Sequence, residues 1–286
     1  MNEFDLTSLV SRSSVFDPDV IDWDAVARQP LPPGALRTLR YMQDVEGHTI
    51  VYLRELLATR AVDDPEIAGF FATWFYEETA HSRALGRFLT AAGHPVVPRP
   101  RSARRLGERI EALGIACIAA AWRDFPTVHM TWGAINELST LTGYRRLAQL
   151  AGHPVLTELL GQIMRDESRH FHFYFEQAER RLAASATTRR VTRALVARFW
   201  DPVGAGVQPD EEARFLATYL FSGRDGRAAA QTIDRTIRRL PGFADLPLLE
   251  AWMERHCARA DAVADAPQRA QRIADDPGSA GVSQWT

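Results

Sequence analysis

Two short motifs of identical spacing constrain this chain more than any other feature of its sequence. Each places a glutamate three residues before a histidine, Glu78 before His81 and Glu167 before His170. Residues three apart on an α-helix lie one above the other on the same face, so each pair can direct an oxygen and a nitrogen at the same ion. One copy is weak evidence, but two copies in helical surroundings predict partner carboxylates on neighbouring helices.

The first helical hairpin predicts one such partner. Asp63-Asp64-Pro65 contains residues that break helices, and Glu78 follows this turn on the second helix of the pair. In an antiparallel hairpin both helices rise about 1.5 Å per residue, so the partner should lie about equally far before the turn. Counting back from Asp63 by nearly the same interval reaches Glu46, which is therefore the predicted partner.

The second hairpin repeats this arrangement. Gly152-His153-Pro154 marks the turn, and Glu137 lies as far before Gly152 as Glu167 lies after it. Di-iron carboxylate bundles use a single glutamate from each of two helices and a Glu-x-x-His from each of the other two. The sequence therefore predicts four carboxylates and two imidazoles at one height in a helical bundle.

Helical phase supports the choice of Glu46 and Glu137, because both share a face with residues that should point inward. The in-phase residues are Leu39, Met42, Thr49 and Leu53 for Glu46, and Ala134, Leu141 and Tyr144 for Glu137. A charged glutamate on a core-facing stripe is costly unless it is paired or bound to metal. Ordinary ion pairs at partly exposed positions are the alternative for either glutamate taken alone.

Two further acidic residues directly precede the glutamates of the motifs, Glu77 before Glu78 and Asp166 before Glu167. Metal-bound histidines usually donate their other N–H to a carboxylate, a backbone carbonyl or water. We therefore expect contacts across the bundle, from His81 to Asp166 and from His170 to Glu77. For Glu77 a solvated helix charge is the alternative.

Thr140 lies three residues after Glu137 and should face the same side of its helix. A hydroxyl there is placed to donate a proton to oxygen bound at the metals, which makes Thr140 the candidate catalytic residue. The alternative is a hydrogen bond to the backbone carbonyl four residues earlier, which is common for threonine inside a helix.

Composition excludes several other classes of protein. A net charge of −2 does not suggest a general nucleic-acid binder. Cys117 and Cys257 are far apart and form no CxxC motif, so no disulfide framework is expected and a reducing cytoplasm fits. The longest apolar run, Leu113–Trp122, is too short to span a bilayer, and the N-terminus lacks the apolar core of a signal peptide.

The segments without strong helix breakers are long, and no stretch alternates with the period of a strand, so the fold should be all-α. Long helices are predicted for residues 35–60, 65–92, 127–150 and 155–184, with a proline- and arginine-rich crossover at 96–105. The predicted organisation is an N-terminal arm (1–34), a four-helix bundle (35–184), additional helices packed on the bundle (185–263) and a disordered tail (264–286).

These features resemble the soluble acyl-acyl-carrier-protein desaturase family, which belongs to the ferritin-like di-iron superfamily. The sequences EETAH at 77–81 and DESRH at 166–170 carry the resemblance, together with Glu46, Glu137 and Thr140. It covers roughly residues 35–184 and implies a ferritin-like four-helix bundle with additional C-terminal helices. It also implies two iron ions held by the six predicted ligands, with a mixed manganese–iron pair as the alternative.

The resemblance further implies that the chain uses O2 to introduce a double bond into an acyl chain carried by acyl carrier protein. Electrons would come from a ferredoxin-like donor, and a homodimer is compatible with the family. Arginines that would suit an acidic carrier form two sets, Arg99, Arg101, Arg104 and Arg105, and Arg180, Arg181, Arg189, Arg190 and Arg193. Solvated surface arginines are the alternative reading of both sets.

Two other functions remain open from the sequence. One is a di-iron oxygenase of natural-product biosynthesis, either a hydroxylase or an N-oxygenase. N-oxygenases carry an additional histidine four residues before the last motif, where this chain has Ile163. The other, from a different class, is an iron-handling ferritin-like protein, although the additional C-terminal third disfavours it.

Overall fold

The computed structural model describes residues 17–96, 122–205 and 208–257 of the 286-residue chain. Within these ranges the protein is an all-α helical bundle without a β-strand, which confirms the predicted fold class. Residues 1–16 of the predicted arm, most of the crossover with its arginines, and the predicted tail lie outside the described residues. Among the described helices, none is long and apolar enough to cross a bilayer.

Five α-helices make up the described part of the bundle. They are α1 (Pro33–Gly47), α2 (Thr49–Leu57), α3 (Pro65–Ala91), α4 (Pro126–Ala151) and α5 (Pro154–Ala184). Helix α1 packs along α3 and α4 packs along α5, while the two hairpins meet through contacts of α1 with α4 and of α3 with α5. The four long helices α1, α3, α4 and α5 all begin at a proline, whose fixed φ and missing N–H suit the first turn of a helix.

The turns within the hairpins are fixed by side-chain caps. The carboxylate of Asp64 accepts the backbone N–H of Glu66 at 3.0 Å and so begins α3. Gly152 has a φ of 58°, a left-handed conformation that ends α4 at little cost for glycine. Nδ1 of His153 then accepts the N–H of Leu156 at 3.3 Å and begins α5. These caps set the register of each hairpin and hence the height of its acidic residues.

The first predicted helix is divided in the structure. The sequence suggests one helix over 35–60, but α1 ends at Gly47, His48 takes the cap position, and α2 begins at Thr49. Gly47 and the β-branched run Thr49-Ile50-Val51 are weak helix formers, which favours a break at this point. The break lies just after Glu46 and leaves that residue inside α1.

Aromatic side chains fill much of the core between the hairpins. The rings of Phe70 on α3 and Phe173 on α5 stack with their centroids 3.8 Å apart. Tyr174 meets Phe70 edge to face at 4.9 Å. Such aromatic pairs add about 0.5–1.5 kcal/mol to the stabilisation from burial alone. This packing joins α3 to α5 directly beside the acidic residues of both helices.

Four shorter helices follow the bundle. They are α6 (Ala186–Phe199), α7 (Asp210–Phe221), α8 (Gly223–Ile237) and α9 (Leu249–Cys257). Helix α6 packs on α4 and α5, α7 packs on α1 and α4, and α8 packs on α4, α7 and α9. Ser185 accepts the N–H of Thr188 and so caps α6, which begins directly after α5 ends.

Candidate metal centre

The structure brings together six buried side chains from four helices. They are Glu46 on α1, Glu78 and His81 on α3, Glu137 on α4, and Glu167 and His170 on α5, and none is more than 7% exposed. These are the six residues that the motif spacing singled out. Burial follows from helical phase, because each residue lies on the face that its helix turns towards the bundle axis.

The six side chains form two overlapping groups of possible metal ligands. One group contains Glu46, Glu78, His81 and Glu167, and the other contains Glu78, Glu137, Glu167 and His170. Within each group the candidate donor atoms all lie within 4.8 Å of one another. Glu78 and Glu167 belong to both groups, so the two positions share two carboxylates and each has one histidine and one carboxylate of its own.

Both histidines direct Nδ1 at this cluster. Nδ1 of His81 lies 3.3 Å from Oε1 of Glu167 and 3.9 Å from Oε2 of Glu46. Nδ1 of His170 lies 3.3 Å from Oε1 of Glu78 and 3.5 Å from Oε2 of Glu137. Each ligand group therefore has one imidazole nitrogen close to its carboxylate oxygens.

Several buried polar atoms of the cluster have no hydrogen-bond partner among the described residues. They are Oε2 of Glu46, Oε1 of Glu78, both carboxylate oxygens of Glu167, and Nδ1 of His81 and His170. A buried polar group without a partner costs about 1–3 kcal/mol. A convergent set of such atoms in a dry interior therefore fits bound cations that would satisfy them together.

The outer nitrogens of the two histidines are held by carboxylates on the opposite helix. Nε2 of His81 donates to Asp166 at 3.0 Å, and Nε2 of His170 donates to Glu77 at 2.7 Å. Glu77 is 2% exposed, so it is not a solvated helix charge. These bonds hold a proton on Nε2, so Nδ1 is the nitrogen that each histidine would offer to a metal ion.

Arg169 joins the two supporting carboxylates. Its Nη2 lies 2.7 Å from Oε1 of Glu77 and 2.7 Å from Oδ1 of Asp166. The two carboxylates therefore share one guanidinium group, which offsets their mutual repulsion. Our reading of the motifs did not assign Arg169 a role, although its position inside DESRH, directly before His170, was visible in the sequence.

Two aromatic side chains donate to the carboxylates that belong to only one group. The hydroxyl of Tyr144 on α4 donates a short hydrogen bond to Oε1 of Glu46, and Nε1 of Trp74 on α3 donates to Oε1 of Glu137 at 3.1 Å. The sequence predicts Tyr144 on the face of Glu137 but gives no indication of either bond. They depend on distances between helices, which periodicity does not report.

Thr140 follows Glu137 by three residues on α4 and belongs to neither group of acidic and histidine side chains. It is partly exposed on α4 and makes no hydrogen bond with the part of the chain that the structure describes. Its neighbour Ser139, rather than Thr140, bonds to the carbonyl four residues earlier, that of Ile135, at 2.7 Å. The hydroxyl of Thr140 is therefore not engaged by the helix backbone.

Burial and mutual repulsion raise the pKa values of three of the four clustered carboxylates. Burial raises the pKa of Glu78 to about 7 and that of Glu137 to about 8, with further increases from neighbouring carboxylates. The pKa of Glu46 is raised well above its usual range for the same two reasons. Burial would also raise the pKa of Glu167, but His170 and His81 outweigh it and hold that pKa well below its usual range.

The carboxylates in turn raise the pKa values of both histidines and of Tyr144. Burial alone lowers the pKa of His81, but its bonds to Asp166 and Glu167 outweigh burial and raise that pKa to about 10. The pKa of His170 is raised well above its usual range because carboxylates outweigh burial there too. Burial and the nearby Glu46 raise the pKa of Tyr144, so its phenol remains a hydrogen-bond donor.

The donor set matches a pair of hard divalent cations. Four carboxylates carry four negative charges when deprotonated, which two divalent ions would neutralise. Oxygen and imidazole donors without thiolates suit iron or manganese, whereas structural zinc favours four ligands that often include sulfur. The residues present therefore fit a carboxylate-rich centre of two metal ions.

Comparison with known proteins agrees with this chemistry. A family model described as fatty acid desaturase matches residues 52–198, about half of the chain. The matched region contains both Glu-x-x-His motifs and Glu137, while Glu46 lies just before it. No match was found among curated proteins or among solved structures. By its family model and the region matched, this chain belongs to the fatty acid desaturase family.

Proposed function

We propose that this protein is an O2-dependent di-iron oxidoreductase that introduces a double bond into an acyl chain bound to acyl carrier protein. One observation carries the proposal: two groups of four buried acidic and histidine side chains, each able to hold a metal ion, share Glu78 and Glu167. Membership of the fatty acid desaturase family supports desaturation as the reaction. The proposed electron donor is a ferredoxin-like protein, in keeping with the resemblance of the motifs to soluble desaturases.

The proposed ligand assignment follows the two groups. Glu46 and His81 would hold one ion, Glu137 and His170 would hold the other, and the shared carboxylates Glu78 and Glu167 would lie between them. A bound iron pair supplies the oxidising power, drawn from O2 and added electrons, that removes hydrogen from an unactivated carbon. A mixed manganese–iron pair is the alternative that the same donor set supports.

The protein's own contribution is to orient the ligands and to keep the site dry. Asp166 and Glu77 hold the Nε2 protons of the two histidines, and this fixes which nitrogen faces the cluster. The cluster is buried beneath aromatic side chains such as Trp74, which is 7% exposed. Exclusion of water protects a strongly oxidising site from side reactions.

Thr140 is the proposed catalytic proton donor. It lies three residues after Glu137 on α4, and its hydroxyl is not bonded to any described residue. A hydroxyl that the helix backbone does not engage is able to rotate and donate towards oxygen on the side of the metals. Thr140→Val, which keeps the shape but removes the hydroxyl, tests this role by the ratio of product formed to O2 consumed.

The carrier-protein part of the proposal rests on the family rather than on the arginines near the end of α5. Arg180 pairs with Glu66 at 3.1 Å, and Arg181 pairs with Asp64 at 2.6 Å. Arg189 donates to a backbone carbonyl at the end of α5, and Arg193 pairs with Asp245. Arg190 is exposed. Intramolecular pairing therefore reduces the charge that this set offers to an acidic carrier.

The decisive experiment supplies O2 to the reduced, iron-loaded protein together with acyl-carrier-protein thioesters of several chain lengths. Mass analysis of the acyl product is expected to show loss of two hydrogens, dependent on both O2 and reductant. Glu167→Gln, which removes a shared ligand, is the matched inactive control. An acyl product that has gained oxygen would show that the protein is a hydroxylase and not a desaturase. Uptake of many iron ions without any acyl product would show that the protein handles iron.

A further inference from the structure

The two carboxylates that belong to only one ligand group are tethered in the same way by different donors. Glu46 receives the hydroxyl of Tyr144, and Glu137 receives the indole N–H of Trp74. In both cases the tethered atom is Oε1, and Oε2 is the oxygen that approaches the histidine of the same group. Each unshared carboxylate therefore presents one oxygen to the cluster and keeps the other in a hydrogen bond.

We propose that Tyr144 is a positioning residue that restricts Glu46 to one metal-binding oxygen and so keeps coordination space free on the ion held by Glu46 and His81. The proposal rests on the metal centre of the proposed function. It goes beyond that function by assigning a task to a phenol that is neither a ligand nor part of the family motifs described above.

The geometry of Glu46 carries the proposal. Tyr144 is fully buried and reaches from α4 to α1, so its hydroxyl meets the carboxylate within the dry core. Oε2 of Glu46 has no hydrogen-bond partner in the described ranges and lies 3.9 Å from Nδ1 of His81. If both oxygens of Glu46 bound the ion, the buried phenol of Tyr144 would lose its hydrogen-bond acceptor, which is costly in a low-dielectric interior.

The different donors make the two ion positions unequal. The indole N–H of Trp74 can only donate, whereas the phenol of Tyr144 can donate and accept. The hydroxyl beside Glu46 is therefore also able to accept a hydrogen bond, whereas the indole N–H beside Glu137 is not.

Cobalt(II) substitution tests the proposal without turnover, because the visible absorption of cobalt(II) weakens as its coordination number rises. The metal-free protein is titrated with cobalt(II) chloride, and wild type is compared with Tyr144→Phe, which removes only the hydroxyl. Tyr41→Phe is the matched control, since Tyr41 lies on the helix of Glu46 but its hydroxyl donates to the carbonyl of Val203 at 2.7 Å.

We expect wild type and both variants to bind two cobalt ions per chain. In Tyr144→Phe, Glu46 is freed to bind with both oxygens, so the absorbance per chain falls and one of the two dissociation constants shifts several-fold in a chelator competition. Tyr41→Phe should retain the wild-type spectrum. A Tyr144→Phe protein with two bound ions, a wild-type spectrum and wild-type affinities would overturn the proposal.

Two controls show whether a spectral change in Tyr144→Phe comes from the lost hydroxyl or from a disturbed fold. Thermal unfolding of each metal-free variant verifies the fold, and Tyr144→Leu provides a second hydroxyl-free variant that must show the same spectral change. If wild type itself fails to bind two cobalt ions, the metal centre, the proposed function and this inference all fall. If the cobalt spectra change as expected but no acyl product forms, the proposed desaturase activity is wrong, while the proposed role of Tyr144 is supported.

Discussion

Nη2 of Arg169 lies 2.7 Å from the carboxylate of Glu77, on the opposite helix of the bundle. The same nitrogen lies 2.7 Å from Asp166, so the carboxylates that support the two histidines are held by a single cation. The two motifs differ at this position, since Ala80 precedes His81 where Arg169 precedes His170. One guanidinium group therefore serves both halves of the centre.

Replacing Arg169 with glutamine should weaken both metal positions together. Without the cation, repulsion between Glu77 and Asp166 is no longer offset, so the two carboxylates move apart and hold the two histidines less firmly. Loss of such supporting contacts typically lowers metal affinity by about 10–100-fold. Chelator competition measures both affinities, and Arg165→Gln, an exposed charge on the same helix, is the control. A loss confined to one ion would contradict the shared role of Arg169.

Glu137→Ala should reduce bound metal to well below two ions per chain. Glu137 belongs to one ligand group only, so the group of Glu46 and His81 keeps its full set of donors. Metal analysis after loading and desalting gives the stoichiometry, with Glu158→Ala on the exposed face of α5 as the control. Retention of two ions by the Glu137 variant would exclude this ligand assignment.

The metal-free protein should lose stability as the pH rises from about 5 to 9. Burial raises the pKa of Glu78 from 4.5 to about 7 and that of Glu137 from 4.5 to about 8. A group whose pKa is raised by folding contributes stability below its unfolded pKa and loses that contribution as the pH rises through its folded pKa. His81, raised from 6.5 to about 10 by Asp166 and Glu167 against the effect of burial, acts in the same direction over a higher range.

Thermal unfolding across this range checks the pH dependence. Glu167, whose pKa is lowered by the histidines, loses its contribution only below pH 4.5 and does not oppose the trend above it. Bound metal replaces the protons, so the loaded protein should show a much flatter profile and release protons on loading. Glu137→Gln should flatten the metal-free profile in part. A metal-free protein whose midpoint is constant from pH 5 to 9 would rule out this account.

Asp234 provides a test of the C-terminal helices that does not involve metal. Its buried carboxylate on α8 accepts the N–H groups of Leu248, Leu249 and Glu250 at 3.0–3.3 Å and so begins α9. Asp234→Ala leaves these donors without an acceptor and should reduce the free energy of unfolding by about 2 kcal/mol. Urea unfolding measures the change, with Glu254→Ala on the exposed face of α9 as the control. Equal stability of the two variants would contradict the capping role.

The helices and the six clustered residues were accessible from the sequence because both depend on local periodicity. The interval between Glu78 and His81 fixes a shared helix face, and the turn before Pro154 fixes the height at which Glu137 and Glu167 face each other. Caps such as Asp64 were equally visible, since an acidic residue before a proline has a defined role at the start of a helix.

Contacts across the bundle were less accessible. The hydrogen bond from Tyr144 to Glu46 joins residues 98 positions apart, and nothing in the spacing of either helix predicts it. The break at His48 was missed for a related reason: Gly47 weakens a helix by only about 1 kcal/mol, so the sequence alone does not decide between a continuous helix and a divided one.

The distribution of ligands between the hairpins has a consequence for assembly. One ligand group takes Glu46, Glu78 and His81 from the α1–α3 hairpin and Glu167 from α5. The other takes its remaining residues from the α4–α5 hairpin and Glu78 from α3. Neither half of the bundle contains a complete coordination set of its own. Metal binding is therefore expected to stabilise the docking of the two hairpins on each other, and removal of metal to weaken it.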